Sequence, residues 1–346
     1  MTDPDVERLQ VLASLLLDDA TPASSLRPEV VELSILVGAR KEDAGRDDRD
    51  ISEGETLTAN GLALSPRMAA MCLDDYVRTI VFLRGIHAAI SDLSATIADR
   101  PVRVLYAGCG PFAALALPLM SFLPSGSAVF TLMDIHAESI RSAQTLIERF
   151  GLAHAVDDYL IDNAMDYRAE KAALPDLVIL EVMQACLESE PQVAIARHLL
   201  AEAPGAVLVP ETISIRFDLI DLAQEFSISN PQSDQPNPQR DRLSLGEVFR
   251  VDRRSLQSWC QAGNETLSGA TIELPSDWEG RYQPMVVTEI TTYQDHLLTD
   301  YDSGLTCPRS PTLDGSLEPG GLIEFVYELG HHPRLVGYPR KARPAT

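Results

Sequence analysis

Between residues 102 and 209 the chain alternates short apolar runs with stretches of helical period, and this alternation limits the fold more than any other feature. Apolar runs at 102–107, 128–134, 158–161, 177–180 and 206–209 are separated by amphipathic stretches near 112–122, 138–150 and 191–203. Strand, crossover and strand in this order require parallel pairing with right-handed connections, so an α/β parallel sheet is expected. Ligands of such sheets bind outside the carboxyl ends of the strands, so the residues that follow each run are the ones to read for chemistry.

The flanks read differently. Residues 6–17 and 28–39 have the period of two amphipathic helices, the charged segment 42–60 reads as a loop or linker, and 66–97 reads as one long helix. After Pro210 the texture changes to short alternating runs at 212–219, 285–293 and 322–329, the pattern of an antiparallel β domain. The stretch 227–242, rich in Asn, Pro, Gln, Ser and Asp, reads as a loop or protruding arm. The expected division is therefore an N-terminal helical extension (1–60), a nucleotide-type parallel domain (61–210) and a β domain (211–346).

Composition narrows the partners. Across 346 residues, 51 acids stand against 28 bases, a net charge of −23, and Lys41, Lys171 and Lys341 are the only lysines. A field of that sign repels phosphate backbones and attracts cations, which argues against nucleic acid and for a basic small molecule or peptide, although solubility alone explains the same charge. Five single cysteines with no Cys-x-x-Cys pair suggest neither a disulfide framework nor a zinc site, and a cytoplasmic location is expected. Nor does any run of about 18 apolar residues offer a membrane span. His87 reads as a packing or surface residue, and the pair His331-His332 has no acidic partner at metal-ligand spacing, so no metal is expected.

Three motifs stand at strand ends. The run ending in Ala107 enters Gly108-Cys-Gly110-Pro, where glycine lets backbone approach a ligand closely and the helix expected next would favour negative charge. A dinucleotide fingerprint would place a third glycine where this chain has Ala113. Asp134 ends the next run, placed to accept two ribose hydroxyls, and Asp162-Asn-Ala164-Met165 follows the third. Gly-x-Gly-Pro, the acid and the third turn, in this order, resemble the S-adenosylmethionine site of class I methyltransferases. That resemblance implies cofactor contacts from Gly108, Gly110, Asp134, Asp162, Ala164 and Met165, with Tyr106 standing where the first strand usually carries an acid.

The fourth run leads into Glu181-Val-Met-Gln-Ala-Cys-Leu-Glu-Ser-Glu190, two carboxylates nine positions apart. Converging, they would hold a planar cation such as a guanidinium, whose donors match carboxylates bidentately. Otherwise Glu181, Glu188 and Glu190 are solvated loop acids of an acidic chain.

Glu181, Met183, Cys186-Leu187 and Glu190 resemble the double-glutamate loop of the protein arginine methyltransferases, with Val182 in the place of a tryptophan. Asp75-Tyr-Val-Arg78-Thr79 resembles that family's cofactor-covering helix, and Pro204-Gly205 through Val209-Pro210-Glu211 its junction to a β-barrel. The resemblance covers roughly residues 65 to 330. It implies a Rossmann-like sheet with N-terminal helices followed by an antiparallel β-barrel-like domain, S-adenosylmethionine as cofactor, Arg78 on the cofactor carboxylate, Glu181 and Glu190 as catalytic clamp and Met183 beside the substrate. It also implies a homodimer made through an arm such as 227–242.

Two departures bear on the substrate. Thr312-Leu313-Asp314-Gly315 stands where the family has Thr-His-Trp, and residues 50–68 lack the aromatics that fold over the cofactor. An intact clamp beside an altered groove points to a small guanidino substrate such as free L-arginine, with Asp314 able to meet its α-amino group. Rival readings are methylation of another amine, a carboxylate or a hydroxyl, or a non-catalytic scaffold that keeps the fold.

Overall fold

Leucines at helical spacing bury one face of each N-terminal helix. The computed structural model describes residues 3–38, 51–97, 99–225, 240–260, 265–278 and 280–341. Helix α1 (Pro4–Leu16), capped by the Asp3 carboxylate, buries Leu9, Leu12 and Leu16, and α2 (Arg27–Leu36) buries Val30 and Leu33. Each such side chain contributes about 1.5–3 kcal/mol relative to exposure. They share one continuous core with Phe82, Leu83 and Val102. Arg84, buried, donates to the carbonyls of Leu16, Asp18 and Thr21 and so ties the end of α1 to its own helix, Tyr76–Thr96.

Two expectations upstream of the sheet need correction. Within the segment expected as a loop, β1 (Thr56–Thr58) and β2 (Gly61–Ala63) form an antiparallel hairpin; its part at 42–50 lies outside the described residues. Asn60-Gly61 between apolar positions is a hairpin signal that the surrounding charge obscured. The expected long helix is two: α3 (Pro66–Met71), capped by Ser65, and α4 (Tyr76–Thr96), with Asp75 non-helical between them. Asp75 caps α4 through the Arg78 N–H (3.4 Å), and its other carboxylate oxygen accepts from Ser303 Oγ (2.6 Å) and Gly304 N (3.0 Å). The break puts Arg78 in the first turn of α4, next to the sheet.

The parallel sheet is as expected. Strands β3 (Val102–Ala107), β4 (Ala128–Asp134), β5 (Val156–Ile161), β6 (Leu177–Leu180) and β7 (Val207–Val209) lie in the order β5-β4-β3-β6-β7, all parallel. Crossovers include α5 (Leu117–Phe122), α6 (Ala137–Arg149) and α7 (Gln192–Glu202). Strand order reverses at β3, so the crevice lies beside its carboxyl end. One helix is shorter than its sequence period suggests: turns with Ala113 at φ 44° occupy 111–116, and α5 begins only at Leu117. The glycine turn therefore does not run directly into a helix N-terminus.

The remaining elements are β8 (Thr212–Ile220), α8 (Leu222–Glu225), β9 (Arg242–Asp252), α9 (Arg253–Cys260), β10 (Thr266–Glu273), β11 (Gln283–Tyr293), β12 (His296–Leu298), β13 (Thr312–Leu313), β14 (Leu322–Glu328) and β15 (Arg334–Arg340). They make two four-stranded sheets, β12-β11-β8-β9 and β10-β14-β15-β13, antiparallel except where β13 meets β15. The sheets face each other through Phe217 on Phe325 (ring centroids 5.4 Å) and Phe249 stacked on Tyr327 (4.9 Å). Ile323, Phe325 and Tyr327 alternate inward along β14, the period of two that made this strand legible. Residues 227–239 of the expected arm lie outside the described residues, and Arg242 opens β9. Gly85 lets α4 meet β11 closely, since a Cβ there would stand 2.3 Å from Thr292 Oγ1.

Candidate functional site

Strand register assembles the site. Ala107 pairs with Met133 on one side and Leu180 on the other, and Asp134 pairs with Ile161. Gly108, Asp134, Asp162 and Glu181 consequently leave the sheet at one level. A cleft enclosing about 1150 Å³, counting the part open to solvent, runs across these strand ends. Arg78, Gly108, Gly110, Asp134, Asp162, Ala164, Met165, Glu181, Met183 and Glu190 all line it. Asp314 does not: it is exposed on the turn after β13, its N–H bonded to Gly337 O. Asp314 thus stands apart from the cleft that the other expected site residues share. Glu188 is also absent from the lining and lies 3.5 Å from Thr312 Oγ1.

At one end of the cleft the glycine turn is tightly built. Gly108 has φ +75°, and a Cβ there would stand 2.4 Å from Val182 Cγ1, so the loops after β3 and β6 touch. Asp134 is buried, with Oδ2 accepting from Gly110 N (2.9 Å) and Oδ1 from His136 N (2.8 Å). Each oxygen keeps a lone pair for a further donor. Met165 N donates to Asn163 Oδ1 (3.0 Å), which fixes the third turn. Tyr106 is buried in the wall, and burial holds its phenol neutral, so it supplies no counter-charge to a cation.

At the other end stand the glutamates. Arg78 donates to Glu181 Oε1 (3.2 Å) and to Cys72 O (3.0 Å). Burial opposes the charge on Arg78, but Glu181 and its neighbours outweigh that and hold the guanidinium more firmly protonated than usual. Glu190 is only 5% exposed. Burial raises the Glu181 carboxyl to about 7 against the pull of Arg78, and burial together with the Glu181 charge raises Glu190 to about 8. Two buried carboxyls thus share one arginine, and the second ionises near neutrality only with difficulty. A cation entering between them would relieve that directly.

The glutamate loop is unusual in its backbone. Cys186, Leu187 and Ser189 all have positive φ (61°, 59° and 66°), a conformation that L residues with side chains occupy only when neighbours impose it. Thr288 Oγ1 accepts from Cys186 N (2.9 Å), and Tyr327 donates its hydroxyl to Leu187 O (2.7 Å). Buried Gln192 braces the other side, donating to Leu180 O and accepting from Val182 N, both at 3.0 Å. Sequence reading missed Gln192, Thr288 and Tyr327, which act by holding other residues and carry no motif of their own. It missed the hairpin too, whose Thr58, Leu62 and Ala63 line the cleft.

Fold and site together define an α/β protein with a cleft at the topological switch point and a pair of shielded carboxyl groups in its wall. No family model matches the chain, and no curated protein does. Among solved structures it is similar to the Trypanosoma brucei PRMT1 enzyme-prozyme heterotetrameric complex with AdoHcy, at a TM-score of 0.46 and 12% identity over 75% of this chain and 87% of that one. At that overlap the likeness adds nothing to what the site's own residues say.

Proposed function

We propose that the protein is an S-adenosylmethionine-dependent N-methyltransferase acting on a guanidino group, with free L-arginine or a similarly small compound as substrate. The observation that carries this reading is the pair Glu181 and Glu190, the first nearly and the second fully buried, in the wall of the cleft that the Gly108–Gly110 turn and Asp134 also line. The residues fit the cofactor: the glycine turn presents backbone to the cleft, Asp134 retains acceptor capacity for a ribose, the turn 162–165 lines the same cleft, and Arg78 offers a cation to a carboxylate. When bound, the cofactor supplies an electrophilic methyl group on a sulfonium.

Glu181 and Glu190 would grip the guanidinium, aim one terminal nitrogen along the line of displacement and keep positive charge on the other nitrogens, so that the attacking one recovers lone-pair character. The attacking nitrogen must also lose a proton. Once the bound cation has drawn the pair into its ionised form, either glutamate, or water, would accept it. Arg78 holds Glu181; contact of Arg78 with the cofactor carboxylate would loosen that pair for the substrate.

The test is direct. Calorimetry with S-adenosylmethionine should show binding by wild type, E181Q and E190Q alike, while methyl transfer to L-arginine falls roughly a hundredfold or more in either variant. Turnover near wild type in E190Q would contradict the assignment.

A further inference from the structure

We propose that the hairpin β1–β2, latched by His331, fixes the position of Glu190 and restricts the substrate to a small guanidino molecule, excluding arginine within a polypeptide. This rests on the function proposed above. The hairpin lies directly on the backbone that carries Glu190: a Cβ at Gly61 would stand 2.8 Å from Ser189 O, 2.9 Å from Pro191 N and 3.1 Å from the Glu190 carbonyl carbon. No side chain fits between them.

Hydrogen bonds make the contact specific. Leu62 N donates to Ser189 O and Ser189 N donates to Pro333 O, both at 2.8 Å, so the left-handed Ser189 is held from both faces. His331 Nδ1 stands 2.8 Å from Thr58 O, and since a carbonyl only accepts, that nitrogen carries the proton. One turn, 331–333, therefore grips both the hairpin and the residue before Glu190. At the opposite end Thr56 Oγ1 meets His136 Nε2 at 3.0 Å, joining the hairpin to the loop after Asp134.

The inner surface of the hairpin supplies Thr58, Leu62 and Ala63 to the same cleft as Glu190. A wall tied at both ends is held in place beside Glu190. Arginine inside a chain would have to carry two polypeptide arms past that wall. His331 itself is exposed and lies outside the cleft, so it acts on the site only through the hairpin.

The experiment compares wild type, H331A, H331Q and G61A on L-arginine and on the tripeptide Gly-Arg-Gly, each with S-adenosylmethionine. Wild type should methylate arginine and leave the tripeptide nearly untouched. H331A should lower the ratio of kcat/KM for arginine over tripeptide by about tenfold, and H331Q, whose amide can still donate to Thr58 O, should restore it. G61A should shift the ratio the same way or further. An unchanged ratio in H331A, or an equal loss on both substrates with a lowered Tm, would overturn the inference and leave the proposed function standing. If wild type methylates neither compound, the proposed function falls and the substrate limit with it.

Discussion

Glu190 is the residue on which most depends. Its folded-state pKa of about 8 lies above the ordinary 4.5 because a buried carboxylate beside Glu181 is unfavourable. A raised acid contributes its stability fully below the unfolded pKa and loses it as pH rises through the folded value, so the ligand-free protein should weaken between about pH 5 and pH 8. Glu181, at about 7, acts in the same direction. Replacing Glu190 by Gln should flatten that decline and raise Tm at pH 9 by at least about 2 °C; scanning calorimetry showing parallel pH curves for wild type and E190Q would contradict the placement. The same chemistry predicts proton release to buffer when L-arginine binds at pH 7, because the clamp must ionise to hold a cation. Both glutamates were legible in the sequence by type and spacing. Their burial was not, because it comes from the hairpin and the C-terminal sheets folding over the loop.

At the scale of elements, the loops after β3 and β6 act as one unit because Gly108 and Val182 touch. Gly108→Ala would need a left-handed backbone for alanine and space now filled by Val182 Cγ1. Binding of S-adenosylmethionine should weaken at least about tenfold in G108A, measured by calorimetry, with the far-ultraviolet circular dichroism unchanged. Wild-type affinity in G108A would separate the glycine turn from the cofactor. The central strands β3 and β6 were readable because their runs stay apolar and are buried on both faces, whereas the edge strand β5, with Asp157 and Asp158 exposed, showed only its last residues. The helix break at Asp75 was missed since Asp75 sits inside an unbroken helical period, and its capping bond to Arg78 N is backed by bonds to Ser303 and Gly304, 228 and 229 residues away, that leave no local pattern.

Over the whole molecule the glutamate loop is where the parts meet. It issues from the parallel sheet, is roofed by the N-terminal hairpin and is held from below by Thr288 and Tyr327 of the two C-terminal sheets. The sequence shows the alternation that builds the first of these; the contacts of the other two join residues far apart in the chain and leave no local pattern. Among the described residues no helix is long and apolar enough to cross a membrane.

One measurement bears on the central claim above the rest: mass spectrometry of the products after incubating the protein with S-adenosylmethionine and free L-arginine. The account predicts arginine carrying a methyl group on a guanidino nitrogen, formed by wild type and nearly lost in E181Q and E190Q. Arginine recovered unchanged, or methylated equally well by E190Q, would contradict it.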